Sequence, residues 1–161
     1  MKTLFLDIDG VLNSGQYVNK VGKLFDNPAH QMDPEAIERL NRFTDLTGVK
    51  IVVSSTWRYA FVNEPNGLEM LQDCIKSYGI TAEVVGMTTI DIYAATDRRG
   101  QEIAEWIDDH YQEIDSFVII DDDSDMGRLS KFHVKTEWEE GLLDTHLEQM
   151  EAALKASENW L

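Results

Sequence analysis

A chain of 161 residues is long enough for one domain with a real core, and an apolar fraction of 43% argues against general disorder. The net charge of −16, from 30 acidic against 14 basic residues, argues against non-specific binding to nucleic acid or to anionic membranes. The single cysteine, Cys74, excludes an intramolecular disulfide, and no run approaches the ~18 apolar residues of a membrane span.

The first predicted element is a buried strand over about Thr3 to Ile8. Asp7 interrupts the apolar run too early for a secretory h-region, so a cytoplasmic protein is expected. The run ends in Asp7-Ile8-Asp9-Gly10, and alternate residues of a strand share a face. In open α/β sheets ligands bind at the carboxyl ends of the strands. Two carboxylates meeting there repel unless a cation joins them, and a divalent ion is the usual answer. Read alone, Asp-x-Asp-Gly is equally an ordinary polar turn.

Residues 13–32 are polar and irregular, with room for a short hairpin or helical turn, and long connections of this kind are often functional. Asp33-Pro34 is a helix start, Ile37, Leu40, Phe43 and Leu46 mark one helical face, and Gly48 is the stop. Lys50 to Ser54 reads as a second buried strand, followed by Ser55-Thr56-Trp57-Arg58. After a loop over 59–67 comes a helix carrying Leu68, Leu71, Ile75 and Tyr78, with Cys74 expected to pack inside. A short third strand, 82–86, and a loop, 87–99, lead to a helix from about Gly100 to Tyr111. Phe117 to Ile120 is the fourth strand, ending in Asp121-Asp122-Asp123-Ser124-Asp125. A weaker fifth strand, 132–136, precedes a last helix carrying Leu143, Leu147, Met150 and Leu154.

Strands alternating with helices imply an α/β fold with a mostly parallel five-stranded sheet and helices on both faces. The polar clusters after strands one, two and four then lie on one sheet edge and converge. The order of these clusters resembles the haloacid dehalogenase (HAD) superfamily, mostly phosphatases: Asp-x-Asp, then Ser or Thr, then Lys or Arg, then an acidic pair. All four stand here in order, as Asp7/Asp9, Ser54, Arg98 or Arg99, and Asp121/Asp122. Leu-Asp-Ile-Asp-Gly-Val-Leu-Asn, Ile-Val-Val-Ser-Ser-Thr-Trp-Arg, Arg-Gly-Gln-Glu-Ile and Ile-Ile-Asp-Asp-Asp-Ser-Asp-Met look like the HAD domain of Swiss-Army-knife RNA repair proteins. The resemblance covers essentially the whole chain and implies a single three-layer, Rossmann-like HAD domain over residues 1–161.

By that resemblance Asp7 is the nucleophile and Asp9 the acid/base, whose backbone carbonyl also joins the metal. Asp122, and next Asp121, is the carboxylate ligand of an Mg²⁺ shared with Asp7. Ser54 would bond a phosphate oxygen, and Arg99 would balance the charge, with Arg98 the close rival. Ser55 and Arg58 follow the second motif closely enough to be substrate-binding candidates, Arg58 through a bidentate phosphate contact. Trp57 offers a stacking face for a base or an edge aromatic of the core. The chain departs from the pattern in two places. Met126 stands where many relatives carry a further Asp, leaving the role of Asp125 undefined, and Arg replaces the commoner Lys.

Asp121, Asp123 and Asp125 alternate like a calcium loop, but its glycine and glutamate positions hold Met126 and Phe132, which rejects it. His30, His110, His133 and His146 lack metal-site spacing and read as structural or exposed. No gap between motifs has room for a large cap, so an open site is expected, with residues 14–32 as a small flap. The expected function is Mg²⁺-dependent phosphomonoester hydrolysis through an aspartyl-phosphate, on nucleotides or nucleic-acid ends. The alternative is a non-catalytic module that binds a phosphorylated ligand. Neither a membrane nor a stable protein partner is expected.

Overall fold

Lys2–Leu6 (β1) loses contact with water after its first residue, as befits the middle strand of a sheet covered on both faces. The computed structural model describes residues 1–22, 24–90 and 98–160. Among them β1 is joined by β2 (Lys50–Val53), β3 (Val84–Met87), β4 (Ser116–Asp121) and β5 (His133–Lys135). The strands lie in the order β3-β2-β1-β4-β5, and every pair is parallel. The chain runs outward from β1 to β2 and β3, then returns to the other side of β1 for β4 and β5. The order therefore reverses between β1 and β4, and the loops after these two strands leave in opposite directions. That opens a crevice at their carboxyl ends.

The strand period of two sorts side chains into two cores. Leu4, Leu6, Ile51, Val53, Val118 and Ile120 belong to one. It is covered by α2 (Pro34–Thr47), α3 (Gly67–Ser77) and α5 (Asp144–Ser157). Phe5, Val52, Phe117 and Ile119 belong to the other, under α4 (Arg99–Asp109) and the 3₁₀ turn Gly127–Phe132. Phe5 meets Trp106 and Phe117 edge-on, at centroid distances of 5.5 and 6.0 Å, and each such pair adds about 0.5–1.5 kcal/mol beyond its burial.

The local signals for α2 act as read. Asp33 accepts a hydrogen bond from the Glu35 N–H, Pro34 opens the first turn, and Gly48 ends the helix at φ 69°. The segment read as irregular contains a helix, α1 (Gly15–Val21), whose cap is Ser14: its hydroxyl accepts from the Tyr17 N–H at 3.2 Å. A 3₁₀ turn, Pro28–His30, follows. β3 begins two residues later than expected, and a 3₁₀ turn, Thr56–Ala60, takes in the first two residues of the loop expected over 59–67. Most of the loop expected over 87–99 lies outside the described residues. No helix among the described residues is long and apolar enough to cross a membrane.

Candidate active site

Register places the motifs. Leu6 pairs with Val53 on one side and with Ile120 on the other. The next residue of each strand is Asp7, Ser54 or Asp121, so these three stand side by side at the crevice. The ladder bonds continue through them: the Asp7 N–H donates to Ile120 O, and the Ser54 N–H to Leu6 O, each at 3.0 Å. All three residues are buried. The Ser54 hydroxyl has no hydrogen-bond partner among the described residues.

Arg99, the first residue of α4, crosses to this row. Its guanidinium lies 3.2 Å from Asp7 Oδ1 and 2.8 Å from Asp121 Oδ2. Gly100 permits the approach, because a Cβ there would sit 2.7 Å from Asp125 O and from the Met126 backbone. The Gly100 N–H instead donates to Asp125 O at 3.1 Å. Arg98 caps the same helix on the exposed side and lines a groove with Gln101 and Glu105. Of the two adjacent arginines, Arg99 is the one against Asp7.

Asp122, half-buried, completes the acidic group. Asp7, Asp121 and Asp122 each offer a carboxylate oxygen within 4.8 Å of the others. Gly10, at φ 76°, makes room for Asp122, whose carboxylate occupies the space a Cβ would take. Burial pushes Asp7 up to about 6, although Arg99 pulls the other way. Burial and the Asp7 charge push Asp121 up to about 7. Burial also raises Asp122. Buried carboxyls held this high beside an arginine still lack positive charge. An all-carboxylate donor set, with neither imidazole nor thiolate, suits a hard cation such as Mg²⁺. The residues present therefore fit the metal.

Asp9 points elsewhere. Its Oδ1 accepts from Asn13 Nδ2 at 2.6 Å and from Trp57 Nε1 at 3.0 Å. Asn13 is itself fixed, accepting from the Gly10 N–H and donating to Ala29 O. The Asp9 carboxylate is therefore held in one orientation by two donors on one oxygen. Sequence reading missed Asn13, although it stands four residues after Asp9 across the turn. Trp57 appears as the partner of Asp9, with its ring edge-on to Tyr78 and His30 at 5.9 Å.

Two expected substrate ligands have other tasks. Arg58 is 1% exposed. It donates to the carbonyls of Ser54, Ser55 and Thr88 at 2.5, 2.7 and 3.0 Å, and it pairs with the buried Glu102. Its guanidinium faces inward and clamps the end of β2, so it does not present itself to a substrate phosphate. Arg58 and Glu102 meet only once the turn after β2 lies against α4, which no local pattern reveals. Ser55 is buried, and its hydroxyl caps the turn over 56–60, accepting from the Trp57 N–H at 3.3 Å.

Asp125 is exposed, whereas Met126 is buried in the second core, so no further acid stands at that place. Cys74 is half-exposed rather than buried. His110 stacks on Trp106, His133 bonds Asp121 O, and His146 accepts from the Leu143 N–H, in keeping with structural roles.

No curated protein and no solved structure matches the chain. The four motif elements nevertheless meet at one switch point in the order expected of them. The family model described as the HAD domain in Swiss Army Knife RNA repair proteins matches residues 3–147, and the chain belongs to that family.

Proposed function

We propose that this chain is a Mg²⁺-dependent phosphomonoester hydrolase that works through a phosphorylated Asp7. The observation carrying this reading is the convergence of Asp7, Asp121 and Asp122 within 4.8 Å, beside Arg99. Asp7 and Asp122, with Asp121 alongside, would hold the cation. A bound Mg²⁺ supplies positive charge that keeps Asp7 anionic and lets it approach an anionic phosphate.

The Asp7 carboxylate attacks phosphorus, and the bond from phosphorus to the leaving oxygen breaks. Asp9, protonated on its outer oxygen, delivers that proton to the leaving oxygen. Two donors on Asp9 Oδ1 leave Oδ2 as the oxygen that carries the proton. Water then attacks the phosphorus of the aspartyl-phosphate, Asp9 takes its proton, and inorganic phosphate departs with Asp7 restored. The Ser54 hydroxyl, without a partner among the described residues, donates to a phosphoryl oxygen. Arg99 offsets the charge of Asp7 and the phosphoryl group.

The test is phosphate release from a generic phosphomonoester. Turnover is expected with Mg²⁺ and not with chelator, and not with Asp7→Asn. Turnover by Asp7→Asn at the wild-type rate would overturn the reading.

A further inference from the structure

A groove of about 540 Å³ opens beside the row of motif residues, and Asp9 is part of its wall. The rest of the wall is largely aromatic: Trp57, Tyr59, Phe61, Tyr78 and His30. The flap segment closes one side, where Tyr78 Oη donates to His30 O at 2.6 Å. Tyr59 is about half exposed. The space is large enough for a bicyclic ring and an attached sugar.

We propose that this groove seats the leaving group of the substrate, that this group carries a planar ring, and that it bears no second phosphate. The inference rests on the phosphatase reading for its direction. An acid that protonates the leaving oxygen must touch it, so the body of the leaving group extends from Asp9 along the groove. A planar ring is the shape that aromatic walls hold best, through stacked and edge-on contacts. The restriction to one phosphate follows from charge. Among the described residues no lysine or arginine lines the groove. Of the arginines at the site, Arg58 is turned inward to Glu102 and Arg99 to Asp7 and Asp121. With a net charge of −16 around it, a further phosphate in the groove would meet Asp9 and no cation among the described residues. This disfavours a polynucleotide with backbone phosphates beyond the one removed, and it favours a monoester of a nucleoside or of a simple aryl alcohol.

The experiment compares 1-naphthyl phosphate, adenosine 3′-monophosphate, adenosine 3′,5′-bisphosphate and glycerol 2-phosphate by kcat/KM. A preference of about tenfold or more for the ring monoesters over glycerol 2-phosphate is expected, the size of one stacking contact. The bisphosphate should be no better than the monophosphate. The naphthyl and adenosine arms tell an aryl ester from a nucleoside. In Tyr59→Ala the ratio of ring to ring-less substrate should collapse. Equal use of glycerol 2-phosphate, an unchanged ratio in Tyr59→Ala, or a marked advantage for the bisphosphate would each overturn the proposal. Calorimetric binding of the same esters to Asp7→Asn separates the two readings. Ring-selective binding without wild-type hydrolysis of any ester would retain the groove and refute the phosphatase. Hydrolysis without ring selectivity would do the reverse.

Discussion

Replacing Arg58 with alanine distinguishes a substrate ligand from a structural clamp. Arg58 and Glu102 are 1% and 6% exposed, so the variant takes the Arg58 charge away from a buried carboxylate. It also removes the donor from the carbonyls of Ser54, Ser55 and Thr88. Removing one member of a buried ion pair costs about 3–5 kcal/mol. For a chain of this length each kcal/mol lowers Tm by about 2–4 °C, so the expected fall is roughly 6–20 °C. That is a large part of the ~5–15 kcal/mol typical of a domain. Urea unfolding followed by circular dichroism measures the loss. Arg58→Met with Glu102→Leu should recover part of it, since the buried carboxylate is removed as well while the three carbonyls still lack their donor. A substrate ligand predicts the opposite pattern: near-native stability with a raised KM. A loss under about 1 kcal/mol, well below the cost of breaking a buried pair, together with a several-fold higher KM would refute the clamp.

Three further outcomes are expected. Asp7→Asn should melt at or above the wild-type temperature in the absence of metal, since a buried charge is removed; a folded but inactive variant by phosphate release checks the nucleophile. Without a divalent cation, stability should be greatest below about pH 4 as far as Asp7 and Asp121 determine it, because their folded forms hold protons more tightly than their unfolded forms. That contribution should be lost as the pH rises through about 6 and about 7. Mg²⁺ should therefore raise Tm more at pH 8 than at pH 5, and less in Asp122→Ala; equal shifts at both pH values or in both proteins would contradict the metal assignment. Trp57→Phe keeps the ring but deletes the N–H that holds Asp9, so kcat should fall more for alkyl esters, whose leaving oxygen needs a proton, than for nitrophenyl phosphate. Equal losses on both would make Trp57 a packing residue only.

Local sequence patterns suffice for the alternation of strands and helices and for the residue at which each motif strand runs out. Apolar runs closing in Asp7, Ser54 and Asp121 are local signals, as are Asp33, Pro34 and Gly48 at the ends of α2. Parallel pairing then makes the side-by-side row nearly automatic, because Asp7, Ser54 and Asp121 each come one residue after the paired Leu6, Val53 and Ile120. Whatever depends on direction across elements follows from packing instead. Arg99 rather than Arg98 reaches Asp7 because Gly100 lets the start of α4 close on the loop after β4, which fixes the rotation of the helix. Arg58 turns inward because Glu102, 44 residues away, lies within reach. Asn13 and Trp57 meet at Asp9 only once the turn after β1 folds against the turn after β2. A side chain's position along the chain follows from local propensity, whereas its partner follows from packing between elements distant in sequence, and partner choice made one arginine part of the site and the other part of the scaffold.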